Sequence, residues 1–458
     1  MVFARQSGRS VKLLAPLAVA AVVLAGGAGA WAGQLQGTLT DLAGKGLRAR
    51  VLAFNPETRD STVAYTDADG RFVCEVPDGQ LTVRAIHGPE WTIAEVQARA
   101  GDALSLMLQR IVDMPARGYY GADLHMHSTY SDGQQSPAEV ALMCQAEGLH
   151  VAALSDHETV AQHPEWLATQ TPYFLPLRGQ EVTTALGHFL SIGCAEAVSN
   201  DTSHGVADIS RIFREIHAQG GLAIVAHPNV PGMGYRSPEI RDYDALEILN
   251  GSVPPYGGIC DFVQGRKAWH SALSQGYRVP VVGNSDNHDG LARLARRLLR
   301  EPDRVAEIDN DLAPLVKLVD IEAVLVPWGW KGLHHGTYRT YLKLGGGAPT
   351  ADSVMAAVKA GRGFITNGPL LLATLDGADP GAEVTLGERQ ALVFRAELFA
   401  NRPLERLDIL VNGQVAQSIA GPGPQVTVNI PVKQGNWVVA EAYGPWPEFA
   451  TTNAWYVR

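Results

Sequence analysis

The sequence has few cysteines, and their spacing matches no familiar motif. The four residues Cys74, Cys144, Cys194 and Cys260 are widely separated and include no CxxC pair. A zinc ribbon or a thioredoxin-like redox site is therefore not supported. We expect these cysteines to be buried free thiols.

The sequence also lacks an excess of positive charge. Lys and Arg number 37 against 47 Asp and Glu, which gives a formal net charge of -10 and a pI near 5.8. Proteins that bind duplex nucleic acid normally need a positive patch that neutralises phosphates. We therefore expect no nucleic-acid partner.

Long apolar runs are almost absent, and the one that is present covers residues 13–30. Basic residues precede it, and Ala30-Trp31-Ala32 follows it as a small-x-small cleavage pattern of the secretory type. An uncleaved membrane anchor is the alternative, because the run approaches the ~20 residues that span a bilayer. Its Gly and Ala content favours a signal peptide over 1–32. We expect export to the periplasm or the extracellular space, with no stable membrane insertion after cleavage.

The length of the chain predicts more than one domain. At 458 residues it exceeds the size that a single core usually reaches. Residues 33–112 and 369–458 contain short alternating runs separated by Gly, Asp and Pro turns, which predicts two small β-sandwiches. Residues 118–368 alternate apolar strand-like runs with helical segments, as is typical of β/α units.

One helix of the central region is marked by its ends. Ser136-Pro137-Ala138-Glu139 supplies an N-cap, a proline in the first turn and a capping-box glutamate, and a glycine closes the helix at 148. Other helices are predicted near 208–220, 266–275 and 352–360, each ending at a glycine. In the last region, Asn412-Gly413 predicts a two-residue hairpin turn.

Several apolar runs of the central region end in potential metal ligands. His125 and His127 are two residues apart on a predicted strand, so their imidazoles share one face. The other candidates at the ends of such runs, or close to them, are Asp132, His157, Glu181, His188, His227, Asp286 and His288. The C-terminal strand ends of a β/α barrel converge on one mouth, where such ligands would meet. Imidazole and carboxylate suit Zn, Mn or Fe, and bound ions of this kind activate water for hydrolysis.

The motifs, in their order along the chain, resemble those of the PHP (polymerase and histidinol phosphatase) superfamily. They read DLHMHSTYSDG, SDHE, GQEVTTALGHF, AHP and GNSDNH, and they cover most of residues 118–290. The continuation through GRGFITNGPLL into a β-sandwich, together with the export signal, resembles the CehA/McbA branch, which is named for carbaryl hydrolysis. In the N-terminal region, TDADGRF followed by VPDG resembles carboxypeptidase-regulatory-like domains. The resemblance implies a multidomain chain with a central distorted (β/α)7 TIM-like barrel, the PHP fold, flanked by the two sandwiches.

The resemblance also implies up to three divalent ions and assigns their ligands. The first ion would be held by His125, His127, Glu181 and Asp286, the second by Glu181, His188 and His227, and the third by Asp132, His157 and His288. Glu181 would bridge the first two ions. A metal-bound water held by the cluster around Glu181 would then be the nucleophile.

One position departs from the phosphatases of this superfamily. They often carry an arginine soon after the AHP histidine, where it holds the substrate phosphate, but here the sequence runs His227-Pro228-Asn229-Val230. This departure weakens the assignment to a phosphate substrate without affecting the metal ligands.

Five polar residues are candidates for binding substrate. Asn229, Asn250 and Asn287 lie near predicted strand ends, and Lys331 and Arg339 lie in a Gly- and Trp-rich loop that could close over the mouth. Roles on the surface, in packing or in a turn are equally open for the loop residues and for Asn250.

Three functions fit the sequence. The first is an exported hydrolase of small-molecule phosphoesters, and the second is a hydrolase of carboxylic or carbamate esters that uses the same metal site. The third is a surface binding module without catalytic activity. The DNA-proofreading role of polymerase-fused PHP domains is disfavoured by the export signal and the acidity. The sequence leaves the oligomeric state open.

Overall fold

The computed structural model describes residues 31–58, 60–230, 233–251, 262–288, 334–445 and 448–458. Nearly all of the predicted signal peptide, together with Cys260 and Lys331, lies outside these ranges. Within them, no helix combines the length and the apolar character that a membrane span requires. The cysteines at 74, 144 and 194 are buried and unbridged, as expected.

The N-terminal region consists of two small sheets around one core. Its strands are β1 (Trp31–Thr40), β2 (Arg50–Phe54), β3 (Ser61–Tyr65), β4 (Arg71–Pro77), β5 (Leu81–Ile86), β6 (Ala94–Ala98) and β7 (Ala103–Met107). One sheet has the order β4-β1-β7 and the other β3-β2-β5-β6. Alternate residues of β4 are buried, and Leu35, Val51, Phe72 and Val83 form part of the common core. The period of two in the sequence is therefore the period of side chains that face this core.

The central region places seven strands side by side. They are β8 (Tyr119–Asp123), β9 (Val151–Leu154), β10 (Leu175–Thr184), β11 (Gly187–Ile192), β12 (Leu222–Ala226), β13 (Ala245–Asn250) and β14 (Val281–Asn284). The helices are α1 (Pro137–Ala146), α2 (His163–Leu167), α3 (Val206–Ala218) and α4 (Phe262–Ser274), and a short 3-10 helix at Pro115–Arg117 precedes β8. Neighbouring strands are parallel except that β11 is antiparallel to both β10 and β12.

A closed (β/α)7 barrel is not shown. The seven strands belong to a single sheet of 15 strands, and among the described residues no helix connects β10 to β11 or β12 to β13. The antiparallel pair of β10 and β11 is joined by a tight turn and needs no helical crossover. The seven strands nevertheless form a curved sheet, since each of them contributes side chains to one buried cluster on the same side. Past their ends, β8 and β14 meet at a single parallel bridge between Met126 and Asn287.

Most of the remaining strands extend the same sheet. They are β15 (Arg339–Lys343), α5 (Ala351–Lys359), β16 (Gly363–Thr366), β17 (Leu370–Leu375), β18 (Glu383–Val384), β19 (Ala391–Phe399), β20 (Arg406–Val411), β21 (Gln414–Ala420), β22 (Gln425–Pro431), β23 (Trp437–Tyr443), β24 (Phe449–Thr452) and β25 (Trp455–Val457). The large sheet continues from β8 through β15, β16, β24, β23 and β20 to β21. The separate sheet β17-β19-β22 shares a core with the last of these strands, which includes Leu371, Phe394 and Ile409. Since β16 pairs with β24, hydrogen bonds of one sheet cross the predicted boundary at 368/369.

The local signals in the sequence are confirmed. Ser136 and Glu139 form a reciprocal capping box at the start of α1, in which Ser136 N donates to Glu139 Oε2 at 2.8 Å. Helices α3, α4 and α5 occupy the predicted segments within a few residues. Asn412 and Gly413 both have positive φ, 50° and 77°, as a type I′ hairpin turn between β20 and β21 requires.

We expect Phe213→Ala to destabilise the central region strongly. Phe213 in α3 is fully buried and packs edge-on against Phe189 of β11, with ring centroids 5.1 Å apart. The cavity left by the substitution should lower the free energy of unfolding by about 3–5 kcal/mol, measured by chemical denaturation. The exposed neighbour Arg214→Ala provides the control. Equal stabilities of the two variants would contradict this packing.

Candidate metal centre

The nine predicted ligands lie in one pocket at the ends of the central strands. His125 and His127 follow β8, His157 follows β9, and His227 follows β12. The remaining members are Glu181 in β10, His188 in β11, Asp286 and His288 after β14, and Asp132 in the loop between β8 and α1. Three groups have their ligand atoms within 4.8 Å of one another: His125, His127, Glu181 and Asp286; Glu181, His188 and His227; His127, Asp132, His157 and His288.

Glu181 is the carboxylate that joins the first two groups. Its Oε2 atom lies 3.0 Å from His125 Nε2 and 3.2 Å from His127 Nε2. Its Oε1 atom lies 2.8 Å from His188 Nδ1 and 3.1 Å from His227 Nε2. Oε2 also lies 3.2 Å from His157 Nδ1. The two oxygens therefore face different sets of imidazoles, which is the arrangement that a carboxylate bridging two ions needs.

The third group is the most exposed part of the pocket. Asp132 Oδ1 lies 3.2 Å from His288 Nε2 and 3.7 Å from His157 Nε2, and the Asp132 side chain is 59% exposed. The structure adds His127 to this group, since His127 Nδ1 lies 3.8 Å from the same oxygen. The family resemblance assigns His127 to the first ion alone. Its two ring nitrogens face two different groups.

The charges in the pocket stabilise one another. Burial by itself would lower the pKa of His127, but its contacts with Asp286 and Glu181 outweigh burial and raise the pKa to about 9. The same balance, with Glu181 as the main partner, raises the pKa of His227 to about 9. Burial would raise the pKa of the Glu181 carboxyl, yet the surrounding imidazoles hold it well below its usual range.

Divalent ions fit this set of donors. Imidazole nitrogen and carboxylate oxygen are the ligands of Zn, Mn and Fe sites, and all three groups combine both types. The buried Nδ1 atoms of His127 and His227 have no hydrogen-bond partner among the described residues. A buried unsatisfied nitrogen costs about 1–3 kcal/mol. For His127, whose Nδ1 faces the third group, an ion bound there would remove that cost.

Two of the candidate ligands have strained backbone conformations. His227 and Asp286 have φ values of 26° and 48°, in the left-handed region that residues other than glycine rarely adopt. Backbone hydrogen bonds hold both of them: His227 N donates to Glu247 Oε2 at 2.9 Å, and Asp286 N donates to His125 O at 2.7 Å. Strain of this kind costs of the order of 1–3 kcal/mol and persists where the surroundings impose it, commonly at functional sites.

Glu247 in β13 is the main residue that the sequence argument missed. It is fully buried, and its carboxylate lies 3.1 Å from His125 Nδ1 while it accepts hydrogen bonds from the amides of Asn284 at 2.7 Å and Asn250 at 2.8 Å. By binding Nδ1, Glu247 directs the Nε2 atom of His125 toward the first group, as carboxylates behind metal-ligating histidines do. A lone glutamate within the apolar strand Ala245–Asn250 was the signal that could have revealed it.

The three asparagines that are predicted to bind substrate lie in different surroundings. Asn250 is fully buried and also donates to Asp286 Oδ2 at 3.1 Å, so it supports the candidate ligands from behind. The carbonyl of Asn287 accepts from His127 N at 3.0 Å, and its amide lies 3.4 Å from His335 Nδ1. A Cβ added at Gly265 of α4 would lie 3.2 Å from Asn229 Nδ2, so this asparagine faces that helix.

Of the two residues proposed for a closing loop, Lys331 lies outside the described residues. Arg339 begins β15, and its guanidinium donates at 2.9 Å to the carbonyl of Glu147, the residue that follows α1. Its position in a strand, with a buried side chain, is the physical reason that it cannot close over the mouth.

Within the described residues of this segment, His335 reaches the pocket, where its Nδ1 lies 3.4 Å from the amide of Asn287. It is buried, and its Nε2 atom has no hydrogen-bond partner among the described residues. Burial, with His288 and His127 nearby, lowers its pKa to about 3, so it stays neutral.

Comparisons with known proteins found partial similarities. No family model matches the sequence. An uncharacterized protein of Methanocaldococcus jannaschii is 27% identical over 144 residues, which cover 28% of this chain and 81% of that protein. A 5'-3' exoribonuclease of Haemophilus influenzae is 54% identical over 39 residues, which cover 8% of this chain and 14% of that protein.

Among solved structures, the similar chains include a two-domain protein of Bacteroides vulgatus that contains a predicted PHP-like metal-dependent phosphoesterase. The similarity covers 70% of this chain and 90% of that chain, with 17% identity and a TM-score of 0.38.

Glu247→Gln should weaken metal binding without unfolding the protein. The amide keeps the size of the side chain but removes the charge that orients His125, and losses of this kind typically cost about 10- to 100-fold in metal affinity. Competition with a chromophoric chelator would measure the effect. Glu388→Gln, an exposed residue outside the pocket, is the control. Wild-type affinity in Glu247→Gln would show that the carboxylate does not support the centre.

Metal binding should release protons and should tighten as the pH rises. In the metal-free protein His127 and His227, with pKa values of about 9, are protonated near neutral pH, whereas ligation requires neutral imidazole. The fraction of neutral imidazole grows as the pH approaches 9, so the affinity should increase from about pH 6 to about pH 8. Calorimetric titration in buffers of different ionisation enthalpy would count the released protons. A pH-independent affinity would contradict this expectation.

Proposed function

We propose that the protein is an exported metal-dependent hydrolase of the PHP superfamily, CehA/McbA branch, that cleaves phosphoesters of small molecules. The single observation that carries the proposal is the position of Glu181, whose two oxygens lie within 3.2 Å of five imidazole nitrogens, three at Oε2 and two at Oε1. The three groups that could hold ions, which overlap at Glu181 and His127, support this proposal because they contain the ligand positions that the PHP motifs imply.

The residues of this chain assemble and orient the centre. Glu247 fixes the tautomer of His125, and the buried groups around Glu181 exclude water from the inner part of the pocket. Divalent ions supply Lewis acidity there, which acidifies water and stabilises developing negative charge. Substrate would approach from the third group, because Asp132 and His157 are the ligands most exposed to solvent.

The nature of the bond that is cleaved depends on the positive charge around the pocket. The 39-residue match to a 5'-3' exoribonuclease favours a phosphoester, because a ribonuclease cleaves phosphodiester bonds. Against this, no Lys or Arg in the described part of the chain forms an ion pair with Asp132, Glu181 or Asp286. This absence favours the second candidate, a carboxylic or carbamate ester, which needs less cationic surroundings than a phosphate.

The other parts of the proposal rest on the sequence. The apolar run at 13–30 and the cleavage pattern support export, and the net charge of -10 supports a small-molecule substrate over nucleic acid. The two small N-terminal sheets are proposed to be an accessory domain of the carboxypeptidase-regulatory-like kind, over residues 33–112. Zn, Mn or Fe, in up to three sites, are the proposed cofactors.

Elemental analysis and a substrate panel would test the function. We expect protein purified without added metal to contain Zn, Mn or Fe, and to hydrolyse aryl phosphate monoesters or diesters. A chelator should abolish the activity and the metal should restore it. Activity only on aryl esters or carbamates would replace the first candidate with the second. Inertness of metal-loaded protein on the whole panel, which includes a short oligoribonucleotide, would favour the binding module.

His157→Ala connects this activity to the pocket. The variant should fold, lose metal and lower kcat by roughly 100-fold, since it removes one charge-stabilising ligand at the open side. His204→Ala removes an imidazole that is exposed and lies outside the three groups, so it should leave both properties unchanged. Normal metal content in His157→Ala would remove this residue from the centre.

A further inference from the structure

A small cavity lies where the N-terminal sheets, the central strands and the C-terminal strands meet. It offers about 40 Å³ to the centres of water-sized molecules, which is room for a few waters or one small ion. None of the nine candidate metal ligands lines it. The charged residues in its lining are Arg50, Glu147, Arg339 and Glu448.

Of the two buried guanidinium groups in this lining, one is paired with a carboxylate and the other is not, among the described residues. Arg50 and Arg339 are only 1% and 2% exposed. The carboxylate of Glu147 pairs with Arg50 Nε. Arg339 donates to the carbonyl oxygens of Gly336 and Glu147 and has no carboxylate partner within the described residues. A buried charge without a counter-ion is unfavourable, so the cavity carries an uncompensated positive charge.

The second carboxylate in the lining does not neutralise that charge. Glu448 Oε1 already accepts from Arg402 Nη2 at 2.8 Å. Three guanidinium groups are thus set against two carboxylates, and the surplus is one positive charge. The apolar side chains of Ile86 and Ile93 complete the wall and keep the local dielectric constant low, which strengthens attraction for an anion.

An arginine donor is also left without a partner. Arg50 Nη1 is buried and makes no hydrogen bond to any described residue. Because Arg50 lines the cavity, a ligand bound there can accept this hydrogen bond. Planar guanidinium groups match the paired oxygens of phosphate, sulfate or carboxylate more closely than they match a water molecule.

We propose that this cavity binds a small oxyanion between Arg50 and Arg339. Arg50 belongs to β2 of the N-terminal region and Arg339 to β15 of the large sheet, so the bound anion holds the two regions together. The site is separate from the metal centre and does not depend on the reaction proposed for that centre. A phosphate-like anion and a small carboxylate share the chemistry that these groups recognise.

Titration of the metal-loaded full chain with sulfate, phosphate and acetate would test the proposal, with Kd measured by calorimetry and Tm by thermal unfolding. The wild type should bind sulfate and gain thermal stability from it. Arg339→Gln should weaken binding by about tenfold or more, because a charge-assisted hydrogen bond is lost. Glu147→Gln should tighten binding, because it frees Arg50 from its competing carboxylate. Tighter binding of acetate than of sulfate or phosphate would identify the ligand as a carboxylate, and the reverse order as a tetrahedral oxyanion.

Arg117→Gln is the matched control, since it makes the same charge change at an exposed arginine that pairs with Glu397 outside the cavity. It should bind sulfate like the wild type. Crystals soaked in selenate would locate the anion, with anomalous density expected between Arg50 and Arg339. Density at the metal centre alone, or equal sulfate affinity in the wild type and Arg339→Gln, would overturn the proposal. If Arg339→Gln does not fold, unchanged or weaker binding in Glu147→Gln would overturn it.

Discussion

The rest of the site depends on one constraint: a buried carboxylate and the imidazoles around it compensate each other's charge. Glu181 is almost completely buried, and burial of a lone carboxylate would be prohibitive. Five imidazoles within 3.2 Å make its position tolerable. In turn, Glu181 helps to raise the pKa values of His127 and His227. Ions bound among these groups would take over the same role with a larger charge.

The strands and backbone around that cluster depart from the regular parallel β/α pattern. β11 runs against its neighbours and brings His188 back toward Glu181 on the preceding strand. His227 and Asp286 leave their strands with positive φ, and the carboxylate and carbonyl behind them fix those conformations. Glu247 supports two of the candidate ligands, since it binds the backbone of His227 and the side chain of His125. The centre therefore has a second layer that is as polar and as buried as the first.

Outside the centre, the regions are joined in two different ways. The C-terminal strands continue the large sheet by backbone hydrogen bonds, which do not depend on particular side chains. The N-terminal sheets contact the rest through side chains, among them the buried pair of Arg50 and Glu147 and the hydrogen bond from Tyr341 to Glu90. Replacement of one partner of such a pair leaves the other partner as a buried charge without a counter-ion. Attachment of this region is therefore sensitive to single residues.

The sequence by itself determined the helices, the hairpin turn and the candidate ligands, because each follows from local chemistry: the capping box of α1, the positive φ of Asn412 and Gly413, the placement of His125 or Asp286 at the end of an apolar run. Only the tertiary structure decided which groups support those ligands. Glu247 belongs to no recognised motif. Arg339 is predicted to lie in a loop because of the Gly- and Trp-rich sequence before it, but it lies buried in a strand. The resemblance implies a barrel, but the course of the sheet depends on how residues far apart in the chain pack and pair, and spacing along a sequence does not record that.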